Sequence, residues 1–308
     1  MKNASLILLV WLSMALVSAH ADTANYTYVS EWGGPGTDNG TFYFPYGIAV
    51  DKKGNVYVSD YSNERIQKFD LIGAYQAQWG RKGTGNGKFH HALGVGVDGK
   101  GKVYVADTLN SIVQVFTPAG DFLTQWGGLG AGDGQLENPV AIAFGRKGQV
   151  YVVDSSNNRV EVFTAAGKYA SQWGSFGADP GQFDNPTGIA LDSKGNVYVG
   201  DTKNNRIEKF SSTGKFLAQW GEKGEGNGQF NSPGGVAING RDEIIVTDEE
   251  NYRIQVFSST GTYITQFGSE GNGNGQFKAP AGVAVDSKGN LYVSDWVSDR
   301  IQKFKPSL

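Results

Sequence analysis

A repeat of fixed length limits the possible folds of this chain more than any other feature of its sequence. Tryptophan recurs every 47 residues in five copies, and phenylalanine continues the series in a sixth: Trp32, Trp79, Trp126, Trp173, Trp220 and Phe267. Six aspartates keep the same spacing: Asp60, Asp107, Asp154, Asp201, Asp248 and Asp295. A unit this short cannot bury its own aromatic side chains, so it becomes stable only by stacking against other copies.

Each copy has the pattern of four short β-strands. A first strand of small residues, such as Gly235–Ile238, is followed after a turn by a strand such as Asn290–Asp295. The third strand has the form of Arg300–Phe304, and the fourth alternates aromatic and small residues, as in Tyr75–Trp79. Four strands in about 40–50 residues are typical of a propeller blade. The small-residue strand suits the crowded centre of the ring, and the aromatic strand suits its periphery.

The two ends of the chain predict how the ring closes. The last copy ends after its third strand, Arg300–Phe304, whereas Tyr28, Ser30 and Trp32 near the N-terminus carry the pattern of a fourth strand. We therefore expect the N-terminal strand to pair with Arg300–Phe304 and cover its exposed edge. The sequence predicts an all-β, six-bladed β-propeller of 47-residue repeats that occupies residues 22–308 as a single domain.

Residues 1–21 stand apart from the repeats. Lys2 precedes an apolar stretch from Leu6 to Val17, and residues 19–21 fit the small-x-small rule for a cleavage site. This combination is typical of a signal peptide, so we expect export to the periplasm or the extracellular space. The apolar stretch is too short to span a bilayer, and we expect no membrane span.

The charge balance and the absence of cysteine exclude several classes of protein. The chain has 27 basic and 30 acidic residues, a formal net charge of -3, and no Cys. Binding to a phosphate backbone usually requires clustered Lys and Arg, so we do not expect a nucleic-acid partner. Without disulfides the fold must rely on packing. We expect the protein to be a monomer.

Three motifs in fixed order define the family that the chain resembles. They are Gln-Phe-x-x-Pro-x-Gly-Val-Ala-Val-Asp, then Gly-Asn-Val-Tyr-Val-x-Asp, then Asn-x-Arg-Ile-Gln-x-Phe, and their pattern recurs six times within residues 26–304. The pattern resembles the NHL repeat family of six-bladed propellers. The resemblance implies the architecture but little about activity, because that family includes binding modules, kinase sensor domains, RNA-binding domains and an amidating lyase.

The repeated aspartates indicate a structural motif. Most are followed by Asn three residues later and by Arg five residues later, as in Asp60, Asn63 and Arg65. Asx side chains cap turns, and arginine pairs with carboxylates. A single active site would not need six copies of the motif. In the second copy Ile112 replaces the arginine, so we expect Asp107 to lack its partner.

Positions that differ between copies point to a recognition surface. The loop before each first strand and the turn after each aspartate share one face of the ring, which we call the top face. In copies six, one and two this face carries large side chains where other copies have Ser, Asn, Ala or Gly: Trp296, Tyr43, Phe44, Tyr46, Tyr61, His90, His91, Leu93 and Leu109. Aromatic rings with polar edges suit binding, so we expect these residues to contact a protein, peptide or glycan. Local packing of the rings is the alternative interpretation.

A second, polar cluster leaves open a metal site. Glu137 and Asn138 in the third copy and Asp184 and Asn185 in the fourth offer oxygen ligands that suit Ca²⁺. Some six-bladed propellers, including lactonases and the amidating lyase, hold a metal in the central funnel. The alternative function is therefore a metal-dependent (Ca²⁺ or Zn²⁺) hydrolase or lyase. Capping of loops by these side chains explains them without a metal.

Few side chains suited to catalysis are found near the expected funnel. Tyr46 and its equivalents in the other copies, Leu93, Val140, Thr187, Gly234 and Ala281, include no acid, and residues 22–308 contain only two histidines, too few for a three-histidine zinc site. There is no cysteine nucleophile and no recognisable nucleophile elbow. The sequence therefore favours a non-catalytic recognition module without a cofactor, although it leaves the question of an enzyme open.

Overall fold

The computed structural model describes residues 26–307, so the expected signal peptide at 1–21 lies outside the described residues. Within them the chain forms 24 strands and two short 3-10 turns, Thr108–Asn110 and Glu249–Asn251. The strands are β1 (Tyr26–Gly33), β2 (Pro45–Val50), β3 (Val56–Asp60), β4 (Arg65–Phe69), β5 (Tyr75–Trp79), β6 (Ala92–Val97), β7 (Val103–Asp107), β8 (Ile112–Phe116), β9 (Phe122–Gly127), β10 (Pro139–Phe144), β11 (Val150–Asp154), β12 (Arg159–Phe163), β13 (Tyr169–Trp173), β14 (Pro186–Leu191), β15 (Val197–Asp201), β16 (Arg206–Phe210), β17 (Phe216–Trp220), β18 (Pro233–Ile238), β19 (Ile244–Asp248), β20 (Arg253–Phe257), β21 (Tyr263–Phe267), β22 (Pro280–Val285), β23 (Leu291–Asp295) and β24 (Arg300–Pro306). No helix in this part of the chain is long and apolar enough to cross a membrane.

The described strands form six antiparallel sheets of four strands, which are the blades of a propeller. Blade one is β2–β5, blade two β6–β9, blade three β10–β13, blade four β14–β17 and blade five β18–β21. Blade six contains β22, β23, β24 and the N-terminal β1. The first strands of neighbouring blades contact one another around the axis, and β2 contacts β22 to complete the ring. The predicted six-bladed fold is confirmed.

The N-terminal strand closes the ring as the sequence predicts. β1 pairs antiparallel with β24, with Tyr26 opposite Pro306 and Gly33 opposite Arg300. A guanidinium nitrogen of Arg300 lies 2.8 Å from a carboxylate oxygen of Glu31, which adds an ion pair between the two strands. Every backbone group at the edge of β24 that would otherwise face solvent therefore has a neighbouring strand.

The core lies between blades and not within them. In the second strand of each blade all residues are buried, as in Val56–Asp60, because both faces of the sheet are covered by neighbouring sheets. Six hydrophobic clusters each combine residues of adjacent blades; Tyr57 of blade one, for example, packs with Val95 and Phe116 of blade two. This arrangement explains why a single repeat could not be stable alone.

The aspartate motif fixes the loops of the top face. The Asp60 carboxylate accepts hydrogen bonds from the backbone N–H of Tyr43 at 2.8 Å and from Arg65 Nε at 2.7 Å, and also from the side chains of Asn63 and Gln67. One buried carboxylate thus joins the loop before the first strand to the turn after the second. The equivalent aspartates of the other blades accept the same backbone bond.

The Asp107 carboxylate shows what remains of the motif without its arginine. Ile112 does remove the arginine, but the Asp107 carboxylate still accepts hydrogen bonds from the backbone N–H of His90, from Asn110 and from Gln114, at 2.8 Å each. The carboxylate lacks a cation but not hydrogen-bond donors. Burial raises its pKa, and these three donors lower it again in part.

Candidate functional site

The first strands line a central channel that opens on the top face. Its cavity of about 240 Å³ is lined mainly by glycine, alanine, valine and isoleucine from all six blades. Tyr46, Val140, Thr187, Gly234 and Ala281 are the lining residues at the start of their strands, and they form part of the channel mouth. The lining itself has no charged side chain, so any charged group must come from the turns around the mouth.

Three of the predicted site residues form an aromatic shelf at this mouth. The rings of Phe44 and Trp296 lie 5.6 Å apart, and those of Tyr46 and Trp296 lie 6.2 Å apart in an edge-on arrangement. We call Phe44, Tyr46 and Trp296 the aromatic shelf. The Phe44 ring is 40% exposed, whereas Tyr46 and Trp296 are half-buried. A hydrophobic surface with accessible ring faces is therefore available to a ligand.

The backbone of the shelf is fixed from the neighbouring blade. Phe44 has a positive φ of 57°, and its N–H donates to the Asp299 carboxylate at 2.7 Å. Asp299 belongs to the turn of blade six, as does Trp296. The bond therefore sets the position of the Phe44 loop relative to the Trp296 turn, and the two rings meet across the blade boundary.

Glu249, the acidic residue of this site, is not among the residues predicted from the sequence. Glu249 opens the turn after β19, and its Oε1 accepts a hydrogen bond from the indole Nε1 of Trp296 at 3.0 Å. A β-carbon on Gly234 would lie 3.9 Å from Glu249 Oε2, so this oxygen lies beside the channel mouth. Burial raises the pKa of Glu249, the indole donor lowers it, and the neighbouring Glu250 raises it further. Tyr46 and its five equivalents include no acid, and the carboxylate at the mouth comes instead from the turn after β19.

A signal for Glu249 was present in the repeat alignment. The residues that directly follow the six aspartates are Tyr61, Thr108, Ser155, Thr202, Glu249 and Trp296. Glutamate is the one charged residue in this set. Leu109, which belongs to the predicted recognition surface, lies two residues after its aspartate, whereas Tyr61 and Trp296 directly follow theirs. Leu109 is 46% exposed and does not share the geometry of the other two positions.

A second group of predicted residues lies at the boundary of blades one and two. The Tyr61 hydroxyl lies 2.6 Å from His91 Nδ1, and the two rings are 4.2 Å apart. The backbone N–H of His91 donates to the Glu64 carboxylate at 2.6 Å, and the ring nitrogen Nε2 of His91 lies 3.9 Å from the other carboxylate oxygen. Burial lowers the pKa of His91, and the neighbouring His90 and Lys82 lower it further. These contacts hold the two blades together at the rim.

The other predicted aromatic or apolar residues surround these two groups. The His90 ring lies 5.1 Å from that of His91, and Tyr43 is 42% exposed. The carbonyl of Leu93 accepts a hydrogen bond from Ser59 Oγ at 2.6 Å, so its backbone serves the contact between inner strands. The nine predicted residues therefore divide into the aromatic shelf, the Tyr61–His91 group and four more peripheral side chains, Tyr43, His90, Leu93 and Leu109. Their role in binding stays a prediction.

The polar residues of blades three and four are engaged in turn contacts. Asn185 accepts from Ser155 Oγ at 2.8 Å and Asn138 donates to Ser156 Oγ at 2.6 Å, while both have positive φ. The N–H groups of Glu137 and Asp184 donate to the aspartates of their own blades. In residues 26–307 no group of three or more His, Cys, Asp or Glu side chains is placed to hold a metal. The Ca²⁺ alternative stays a prediction without added support.

Comparison with known proteins agrees with the repeat pattern. The NHL repeat family model matches residues 42–69, 136–163, 183–210, 230–257 and 277–304. The equivalent segment of blade two, residues 89–116, carries Ala92 and Ile112 where the matched segments have proline and arginine. No curated protein matches the chain in sequence.

Several solved structures share the fold. A streptogramin B lyase is 16% identical with a TM-score of 0.64, over 92% of this chain and 98% of that one. A protein of unknown function from Bacteroides thetaiotaomicron is 18% identical with a TM-score of 0.70, over 92% and 76%. A catalytically inactive virginiamycin B lyase from Staphylococcus aureus, solved with quinupristin, is 15% identical with a TM-score of 0.62, over 91% and 99%. At these identities the likeness shows the fold alone.

Proposed function

From the premise that this chain is an NHL-repeat protein with a six-bladed β-propeller fold, we propose that it is an exported, non-catalytic recognition module. Its ligand, a protein, peptide or glycan, binds on the top face at the mouth of the central channel. Export rests on the signal-peptide pattern of residues 1–21. Mass spectrometry of the protein recovered after secretion would test it, with a chain that begins at Asp22 as the expected product.

The aromatic shelf is the observation that supports binding at this position. The fold does not require large rings there, because the equivalents of Tyr46 are Leu93, Val140, Thr187, Gly234 and Ala281. Packing between blades is already provided by the buried clusters beneath. Partly exposed aromatic rings around a concave opening are typical of recognition sites, where burial by a ligand contributes most of the affinity.

The experiment uses immobilised peptide and glycan arrays and the purified protein of residues 22–308. We expect a ligand whose affinity falls at least tenfold in Tyr46→Ala and in Trp296→Ala, an effect typical of buried aromatic anchors. Phe176→Ala is the matched control, because Phe176 is a 70% exposed aromatic residue of blade four, away from the shelf. Thermal unfolding of each variant checks that the ring is intact. The proposal is contradicted if both shelf variants still bind the ligand with unchanged affinity. It is also contradicted if neither array yields a ligand.

A metal-dependent hydrolase or lyase is the competing function, and proteins named as lyases share this fold. It predicts stoichiometric Ca²⁺ or Zn²⁺ in untagged protein and its loss when Glu137 and Asp184 are replaced. Metal analysis of the purified protein separates the two functions, because the recognition module requires no metal.

A further inference from the structure

Glu249 is a carboxylate at the channel mouth whose charge no basic residue of residues 26–307 balances by an ion pair. The charged neighbour that affects its pKa is Glu250, which has the same sign. A partly buried carboxylate without a cation is unfavourable, because it loses solvation without gaining an opposite charge. A cation supplied by a ligand would restore that balance.

The two oxygens of Glu249 have different surroundings. Oε1 accepts the indole N–H of Trp296, which holds the carboxylate against the shelf. Oε2 accepts no hydrogen bond from the described residues 26–307 and lies 3.9 Å from the position of a β-carbon on Gly234, beside the channel mouth. One oxygen is therefore fixed in position, and the other is available to a group that enters the mouth.

The rings beside Glu249 suit the same kind of ligand. Tyr46 lines the channel and stands edge-on to Trp296, and no hydrogen bond to its hydroxyl is found within residues 26–307. Burial and the nearby Glu249 carboxylate raise the pKa of Tyr46, so the ring stays neutral. A cation that touches a carboxylate and an aromatic face gains both an ion pair and a cation–π contact.

We propose that the mouth of the channel binds a lysine or arginine side chain of a peptide ligand, with the cationic group at Glu249 Oε2 and the aliphatic stem on the aromatic shelf. This inference rests on the proposed function and names its ligand class. A neutral glycan would use the rings but has no need of the negative charge. The charge of Glu249 therefore separates the two classes.

The test is an NMR titration that follows the indole N–H signal of Trp296, assigned with Trp296→Phe. The ligands are Nα-acetyl-lysine methylamide, Nα-acetyl-arginine methylamide and the neutral Nα-acetyl-norleucine methylamide, with cellobiose as a neutral sugar. We expect the lysine or arginine compound to bind at least tenfold more tightly than the norleucine compound. Glu249→Gln, which retains an acceptor for the indole, should lower that affinity at least tenfold.

Glu250→Gln is the matched control, because it removes the same charge from the next, exposed position of the same turn. It should change the affinity less than threefold. Equal losses in the two variants, an unchanged affinity in Glu249→Gln, or tighter binding of norleucine or cellobiose would overturn the cation site while leaving a recognition shelf in place. If no compound shifts the signal but an array ligand still depends on Trp296, the cation site alone fails. If the array ligand is also independent of Trp296, both proposals fail.

Discussion

Trp32 of blade six lies directly over Gly73 of blade one, and a β-carbon on Gly73 would be only 2.6 Å from the indole ring. The same contact joins four further pairs of blades, through Trp79 and Gly120, Trp126 and Gly167, Trp173 and Gly214, and Trp220 and Gly261. Each of these glycines also has a positive φ. The sixth boundary differs: Phe267 packs on Tyr26 at 5.5 Å and Phe304 at 4.9 Å, because blade six takes its outer strand from the N-terminus.

Gly73→Ala should therefore destabilise the protein through both backbone strain and a clash with Trp32. Gly195→Ala is the control, since Gly195 has nearly the same φ, 85° against 87°, but nothing within 4 Å of its β-carbon position. The strain alone costs about 1–2 kcal/mol, and overpacking against the ring adds about 1–3 kcal/mol. Denaturant unfolding of the two variants measures the difference. Equal free energies of unfolding would show that the indole moves aside without cost.

Most of the fold follows from the sequence because each blade repeats one local solution. The 47-residue period, the position of the aspartates and the strand pattern at Trp32 are sufficient to predict six blades and their closure by β1. These features are encoded within single repeats. The physical cause is that identical units stacked in a ring meet identical neighbours, so one set of contacts determines all the others.

The candidate site was harder to predict because it depends on differences between repeats. Trp296, Phe44 and Tyr46 were identified as unusual residues, but the hydrogen bond from Trp296 to Glu249 joins two blades and depends on side-chain geometry. The pairing of Tyr61 with His91 also crosses a blade boundary. No pattern within a single copy specifies such contacts.

Asp107 and Asp248 form a natural pair for measuring what the arginine of the motif contributes. Both carboxylates are buried and accept one backbone, one asparagine and one glutamine hydrogen bond. Only Asp248 also accepts from an arginine, Arg253 Nε at 2.7 Å. The two sites therefore differ mainly in the ion pair.

Asp248→Asn should cost about 3–5 kcal/mol, because it leaves the buried Arg253 guanidinium without its counter-charge. Asp107→Asn should cost less, about 1–3 kcal/mol, because it disturbs hydrogen bonds but leaves no buried cation unpaired. Chemical unfolding of both variants at pH 7 provides the comparison. If Asp107→Asn lost more stability than Asp248→Asn, the carbonyls around Arg253 would already balance its charge.

Blades three and four carry glutamate where the other four blades carry glutamine in the third strand. In blade one, Gln67 Nε2 donates to the Thr41 carbonyl at 2.7 Å and to Asp60 at 3.1 Å. Glu161 and Glu208 occupy the equivalent buried positions, and an ionised carboxylate cannot donate either bond. Burial raises the pKa of each glutamate, the adjacent arginine lowers it in part, and the net result is a pKa of about 7.

The stability of the protein should therefore fall as the pH rises through this range. The ordinary pKa of glutamate is 4.5, so below that value both the folded and the unfolded chain hold the proton, and the contribution of Glu161 to stability is fully present. Between pH 4.5 and about pH 7 the folded chain binds more protons than the unfolded one, and this contribution is lost. The difference between the two pKa values corresponds to about 3 kcal/mol.

Glu161→Gln should remove the part of this pH dependence that Glu161 contributes, because an amide restores the donor without a titrating group. We expect the variant to be more stable than the parent at pH 8 and nearly equal to it at pH 4.5, as measured by urea unfolding at both values. Gln255→Glu in blade five is the reverse control, since Arg253 stands beside it as Arg159 stands beside Glu161. The free energy of unfolding of that variant should equal that of the parent near pH 4.5 and be lower than that of the parent at pH 8. If Glu161→Gln raised the free energy of unfolding equally at both pH values, packing and not protonation would distinguish glutamate from glutamine at this position.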